Sequence, residues 1–160
     1  MTERAILVVE VDQSAKQGNN DLVIGRVWLS LGDLDFPERG WPDFVVRVVR
    51  WWVEATTDLA TGRAAEATVR FMDGPYRIEL SRCGASDWRL RLVEERQSGD
   101  FVRAEAVADA YPLVGSVVAA FDGLWAELAA VPSMIASLRS VRGDVGRLRC
   151  FLRGPDAQGC

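Results

Sequence analysis

The sequence predicts an α+β protein: a mostly antiparallel sheet of about six strands, with two long helices and a shorter C-terminal helix packed on one face, in the order ββαββββαα. Three observations carry this. Trp41 to Leu59, WPDFVVRVVRWWVEATTDL, repeats apolar residues at helical spacing and holds three of the six tryptophans. Between Glu66 and Val107 the period drops to two, with polar and apolar residues alternating around Asp73-Gly74 and Gly99-Asp100. From Asp109 onward the helical period returns.

At 160 residues the chain has the length of one ordinary domain, read here as residues 1–153 with a disordered tail over 154–160. Hydrophobic residues make up 49% and charged residues 26%, as in globular proteins that bury a core. The net charge of −4 argues against a general polyanion binder and hence against nucleic acid as the partner. Lys16 is the only lysine among 19 basic residues, a bias that a GC-rich genome explains. Histidine is absent, which removes the commonest general acid/base and the commonest metal ligand together. Cys83, Cys150 and Cys160 show no zinc or CxxC spacing and read as free thiols. The apolar run at the N-terminus is too short for a signal peptide, and the longest one, Tyr111 to Val131, is interrupted by Asp122 and Glu127. The expectation is therefore a cytoplasmic protein with no membrane partner.

Taken in order, Ala5 to Val11 is a β-branched run and reads as the first strand. A polar loop, Ser14 to Asn20, joins it to an antiparallel second strand over Leu22 to Leu31, where Gly25 marks a bulge or a close backbone approach. The connection Gly32 to Gly40 is acidic, and Phe36 is placed to fasten it to the core. The helix is expected to begin at Trp41, with Pro42 in its first turn and Asp43 at the positive end of its dipole. Its apolar face takes in Phe44, Val45, Val48, Val49, Trp51, Trp52, Ala55 and Leu59; Arg47, Arg50, Glu54, Thr57 and Asp58 lie opposite. Gly62 suits the C-terminal cap.

The hairpin register follows from its turn. With Asp73 and Gly74 as loop residues, Phe71 faces Tyr76, Val69 faces Ile78 and Ala67 faces Leu80, all apolar pairs on one face. Trp88, Leu90 and Leu92 continue that face, and Val102, Ala104 and Ala106 complete it from the last strand. Asp109 can cap the second helix, with Pro112 in its first turn. Leu113, Val114, Val117, Phe121, Leu124, Trp125, Leu128 and Val131 form its apolar stripe. Gly115, Ala119 and Gly123 lie on a separate small-residue face, through which a homodimer could form or which solvent simply covers. Pro132 breaks the chain and Ser133 can cap a third helix; periodicity leaves residues 143–153 open between helix and strand.

No P-loop, GxGxxG, GxSxG or HExxH motif occurs, so no cofactor and no catalytic residue is expected. Glu10, Asp12, Asp33, Asp35 and Glu38 could serve a carboxylate-dependent enzyme, but nothing in the sequence pairs two of them; acids at 33, 35 and 38 fit turn formation better than a metal site. Arginine is the more informative residue. Arg70 and Arg77 would stand opposite each other on the outward sheet face and repel. Arg89, Arg91 and Arg103 are expected beside them, among Glu66, Glu79 and Glu105. A solvated salt-bridge mosaic is the ordinary account of such a face; a partner-binding surface for an acidic protein is the sharper one. A second cluster, Arg139, Arg142, Arg147, Arg149 and Arg153, has only Asp144 close by in sequence and forms a secondary candidate surface.

The segment IGRVWLSLGDLDFPERGWPDF, the helix carrying Trp51-Trp52, and RFMDGPY resemble a small family of bacterial proteins similar to the immunity proteins of polymorphic toxin systems. The likeness spans about residues 24 to 80 and rests on W-x-D-F and F-M-D-G-P-Y. Those motifs build a helix start and a turn, so no functional residue is carried over. The resemblance implies a non-enzymatic protein-binding module, toxin-antitoxin-like, that blocks a cognate toxin. A self-associating assembly protein and a small carboxylate-dependent enzyme are the alternatives.

Overall fold

The computed structural model describes residues 1–12 and 23–156; the loop expected over Ser14–Asn20 and the end of the expected tail, 157–160, lie outside them. The α+β class holds, with eight strands in two four-stranded antiparallel sheets and four helices among the described residues. In the first sheet, β1 (Ala5–Val11) pairs along its whole length with β2 (Ile24–Leu31). The other edge of β2 is shared by two short strands, β3 (Leu34–Phe36) and β4 (Pro42–Phe44). Gly25 sits opposite both Val11 and Asp43 with no register shift. A Cβ there would lie 2.4 Å from the Glu10 carbonyl oxygen and 2.8 Å from Val45 Cγ1, so close backbone approach is the reason for glycine.

Helix α1 (Val45–Ala60) starts four residues later than expected. Pro42 and Asp43 are not its first turn, because the residues before Val45 complete the sheet instead. The open edge of β2 offers them main-chain partners, and Trp41 sets its ring edge-on to Tyr76 at 5.2 Å. Val46, Val53, Thr56 and Thr57 are buried together with most of the expected apolar face, Phe44 and Trp51 being only partly covered, so α1 is enclosed on more than its predicted side. It packs against both sheets and all three later helices. Thr56 and Thr57 enter this core without orphan donors because each hydroxyl donates to the carbonyl four residues back, Trp52 and Val53, at 2.6 Å.

The second sheet is a meander of β5 (Glu66–Arg70), β6 (Tyr76–Arg82), β7 (Asp87–Arg96) and β8 (Gly99–Asp109). The expected hairpin register holds, with Val69 opposite Ile78, Ala67 opposite Leu80 and Arg70 opposite Arg77. Gly74 has φ +75°, the conformation its turn requires. The two sheets meet at a parallel bridge between Glu3 and Ala108, closed by a 2.7 Å bond from the Glu3 amide to the Val107 carbonyl. At their far ends Phe36 lies edge-on to Phe71 and Tyr76, so it does fasten its loop to the core.

Asp109 caps α2 (Ala110–Leu128), accepting from the Tyr111 amide at 2.9 Å. Its apolar stripe lies on β1, where the Leu7 amide donates to Ser116 Oγ at 2.8 Å. Pro132 is the first residue of α3 (Pro132–Ser140), and Val131 rather than Ser133 is the cap. Residues 142–153 are helical as α4 (Arg142–Arg153), with Val145 and Leu148 in the core. Among the described residues no helix is long and apolar enough to cross a membrane. Cys83 is an exposed free thiol, whereas Cys150 is disulfide-bonded, which corrects the expectation of free thiols throughout.

Candidate functional site

The face of the second sheet turned away from α1 carries four of the five arginines proposed for it. Strand alternation brings Arg70, Arg77, Arg89 and Arg91 to one side of β5, β6 and β7. The expected repulsion between Arg70 and Arg77 does not arise, because Glu95 stands between them. Both guanidiniums donate to Glu95 Oε1 at 2.7 Å. Arg77 also donates to Asp100 at 2.5 Å and to Glu79 at 2.8 Å. Glu79 receives Arg91 at 2.5 Å through its other oxygen, and Arg91 and Arg89 share Glu105 at 3.3 and 3.6 Å.

Charge and burial divide these arginines. The Arg77 side chain is only 13% exposed, while those of Arg70, Arg89 and Arg91 reach solvent. Hydrogen bonds to Asp100 and then Glu79 hold the Arg77 proton more firmly than usual. The same bond from Arg77 holds Asp100 below the ordinary carboxylate range. Glu95 is lowered likewise, first by Arg70 and then by Arg77. Exposed ion pairs contribute little one at a time. Linked in series they fix the direction of each guanidinium, so the face presents oriented charges rather than mobile ones. Glu95 and Asp100 were missed in the sequence. Glu95 is within reach of the sequence, since it continues the two-residue alternation of Arg89, Arg91 and Val93; Asp100 lies in the Gly99-Asp100 turn, where the pattern gives no sign of a partner.

Arg103 does not share this face. A bulge opposite Leu92/Val93 makes Ala104 face Leu92 and Val102 face Val93, leaving Arg103 as the extra residue. Its guanidinium turns to the core side of the sheet, donating to the Pro37 carbonyl at 3.1 Å, pairing with Glu94 at 3.2 Å and lying 5.8 Å over the Tyr76 ring. The same shift leaves Val102 exposed rather than inward.

The C-terminal arginines are more committed than the sequence implied. Arg142 lies 5.1 Å over the Trp125 ring, Arg147 pairs with Asp144 at 2.9 Å, and Arg149 pairs with Asp122 of α2 at 2.5 Å. Arg139 is exposed on α3. On the small-residue face of α2, a Cβ at Gly115 or Gly123 would meet nothing within 4 Å, so no other part of the described chain is seated there.

The carboxylates raised for enzymatic work do not converge on a buried site. Asp35 accepts from Ser30 and Arg39, both at 2.8 Å, and those bonds, Ser30 first, lower its pKa. Glu10 and Asp12 border a shallow hollow of about 270 Å³ with Arg26. Among the described residues no three His, Cys, Asp or Glu side chains group so as to hold a metal ion. The one buried carboxylate among them is Asp43, 3% exposed. It accepts from the amides of Phe44 (2.6 Å), Met72 (2.9 Å) and Asp73 (3.3 Å), tying β4 to the β5–β6 turn. Burial raises its pKa against the opposing pull of those three bonds.

No family model, no curated protein and no solved structure matches the chain.

Proposed function

We propose that this chain is a non-enzymatic protein-binding module, acting as an inhibitor of a toxin-like partner in the manner of immunity proteins, and that the partner docks on the outer face of the four-stranded sheet. The observation that carries the reading is the connected row of arginines and carboxylates on that face. Its outer members are solvent-facing, yet each is held by a neighbour, so little side-chain entropy remains to be lost on docking. Preorganised guanidiniums are suited to bidentate recognition of carboxylates on another protein. The same network narrows the partner's chemistry: with a carboxylate beside every arginine, the complement is a patterned surface of both signs rather than a plainly acidic one.

The test begins with affinity capture of the full chain from its host and identification of the protein retained. Arg89→Glu is the informative variant, because Arg89 has the longest pair on this face, 3.6 Å to Glu105, and its loss should leave the fold intact. An affinity at least tenfold weaker, with an unchanged melting temperature, is expected. An unchanged affinity for Arg89→Glu together with a loss for Arg139→Glu would move the interface to the C-terminal helices.

A further inference from the structure

The outer strand of the second sheet, β5, has a free edge, and that edge is complementary to itself. The Phe71 amide donates to the Tyr76 carbonyl and the Arg82 amide to the Ala65 carbonyl, so odd-numbered residues of β5 spend their main-chain groups on β6. Glu66, Thr68 and Arg70 therefore turn theirs the other way. Met72, next in the same series, shows the direction: its amide is taken by the Asp43 carboxylate. Among the described residues no strand continues the sheet beyond β5. A groove of about 380 Å³ runs beside it, walled on the far side by Trp51, Glu54, Ala55 and Asp58 of α1. Three of the devices that spoil a sheet edge, a proline, a bulge and an inward charge, are missing from this strand.

We propose that two copies of this chain associate by pairing their β5 edges antiparallel about a two-fold axis at Thr68, making one continuous sheet across both. The register follows from the side chains. Centred on Thr68, antiparallel pairing puts Thr68 against Thr68 of the second copy and Glu66 against Arg70 of the second copy, and the symmetric contact repeats the ion pair. All of these residues belong to the even series, so each facing pair exchanges both its N–H and C=O groups. Glu66 makes no ion pair within the described chain, and Arg70, already on Glu95, has further N–H groups to offer. A shift by two residues in either direction would set Glu66 against Thr68 or Thr68 against Arg70 and lose the match, so charge selects one register.

Light scattering and sedimentation of the full chain should give a mass rising toward twice 17.7 kDa with concentration. Thr68→Pro removes one edge donor and none used by β6, and should leave a folded monomer. Should proline disturb the strand, Glu66→Arg tests the same point through an exposed side chain alone. It sets arginine against Arg70 of the second copy at both ends of the interface and should weaken association about tenfold. Arg70→Glu should do the same with carboxylates. Mixed together, Glu66→Arg and Arg70→Glu chains should form a heterodimer, since every facing pair is then of opposite sign. A monomeric mass at about 1 mM, or a dimer indifferent to these changes, overturns the proposal; the latter would place the contact elsewhere, with the small-residue face of α2 the next to alter. Neither result bears on partner capture, which is read through Arg89.

Discussion

Replacing Asp43 with alanine tests how the two sheets are held together. Asp43 is the only side chain that joins β4 to the β5–β6 turn by hydrogen bonds among the described residues, through the Met72 and Asp73 amides. A lost bond to a charged acceptor costs about 1.5–3 kcal/mol. The Met72 bond, at 2.9 Å, carries most of this, and the Asp73 bond, at 3.3 Å, less. Both residues lie at the surface, so water recovers a part, and the cost of burying the carboxylate is relieved at the same time. The balance is a loss of about 2 kcal/mol, measured by urea unfolding, with faster hydrogen exchange at the amides of Met72 and Asp73. A loss below about 0.5 kcal/mol with unchanged exchange would refute the clamp. Asparagine adds a pH test. The folded pKa of Asp43 is raised above 3.8, so its contribution is fully present below that value and falls as pH rises through the folded pKa. The stability advantage of wild type over Asp43→Asn should therefore shrink between pH 3 and pH 7.

The remaining predictions concern the core, the turn and the charged face. Trp52 is fully buried, so Trp52→Ala should cost about 3–5 kcal/mol in denaturant unfolding; its indole N–H has no acceptor among the described residues, so Trp52→Phe should cost less than about 1.5 kcal/mol, and equal losses would mean the ring volume is not what matters. At Gly74 a Cβ would lie 2.8 Å from the Tyr76 ring and 3.0 Å from Trp41 at φ +75°, so Gly74→Val should lower the melting temperature far more than Asp73→Asn, and equal shifts would contradict the turn assignment. Asp100 and Glu95 titrate below their usual values of 3.8 and 4.5, so their contribution is present above those values and lost as pH falls through the folded ones. Arg77→Gln should flatten the acid limb of the stability profile below about pH 4.5, and an unchanged limb would leave the network without weight.

What the sequence made legible was local. The β5–β6 register could be read because a two-residue turn and a two-residue period constrain the same pairs. The capping of α2 by Asp109 could be read because the cap and the helical period begin together. What was hidden depended on residues distant in sequence. Trp41-Pro42-Asp43 has every mark of a helix start, yet the vacant edge of β2 and the Tyr76 ring claim it for the sheet. Thr57 lies opposite the apolar arc by helical angle, but that side is covered as well, and a bond to its own helix makes its hydroxyl fit for the core. At the candidate site, four arginines were placed correctly by alternation, and the fifth was lost to a single inserted residue in β8. Alternation carries no warning of a bulge, and every assignment beyond one changes side.

The charge of the outer sheet face decides what kind of docking it can support. Counted alone, Arg70, Arg77, Arg89 and Arg91 suggest a positive surface that draws in an acidic partner at long range. Yet Glu66, Glu79, Glu95, Asp100 and Glu105 stand among them, and most are within hydrogen-bonding distance of a guanidinium. Fields from paired charges of opposite sign cancel within a few ångströms, inside the screening length of about 8 Å at physiological salt. Such a face steers nothing from a distance and discriminates only at contact, where a partner must match the order of signs. The affinity of the captured partner should accordingly change less than about threefold between 50 and 300 mM salt, with the association rate equally flat. A fall of tenfold or more over that range would show a partner drawn by net charge, and the C-terminal surface around the exposed Arg139 of α3 would then be the one that meets it.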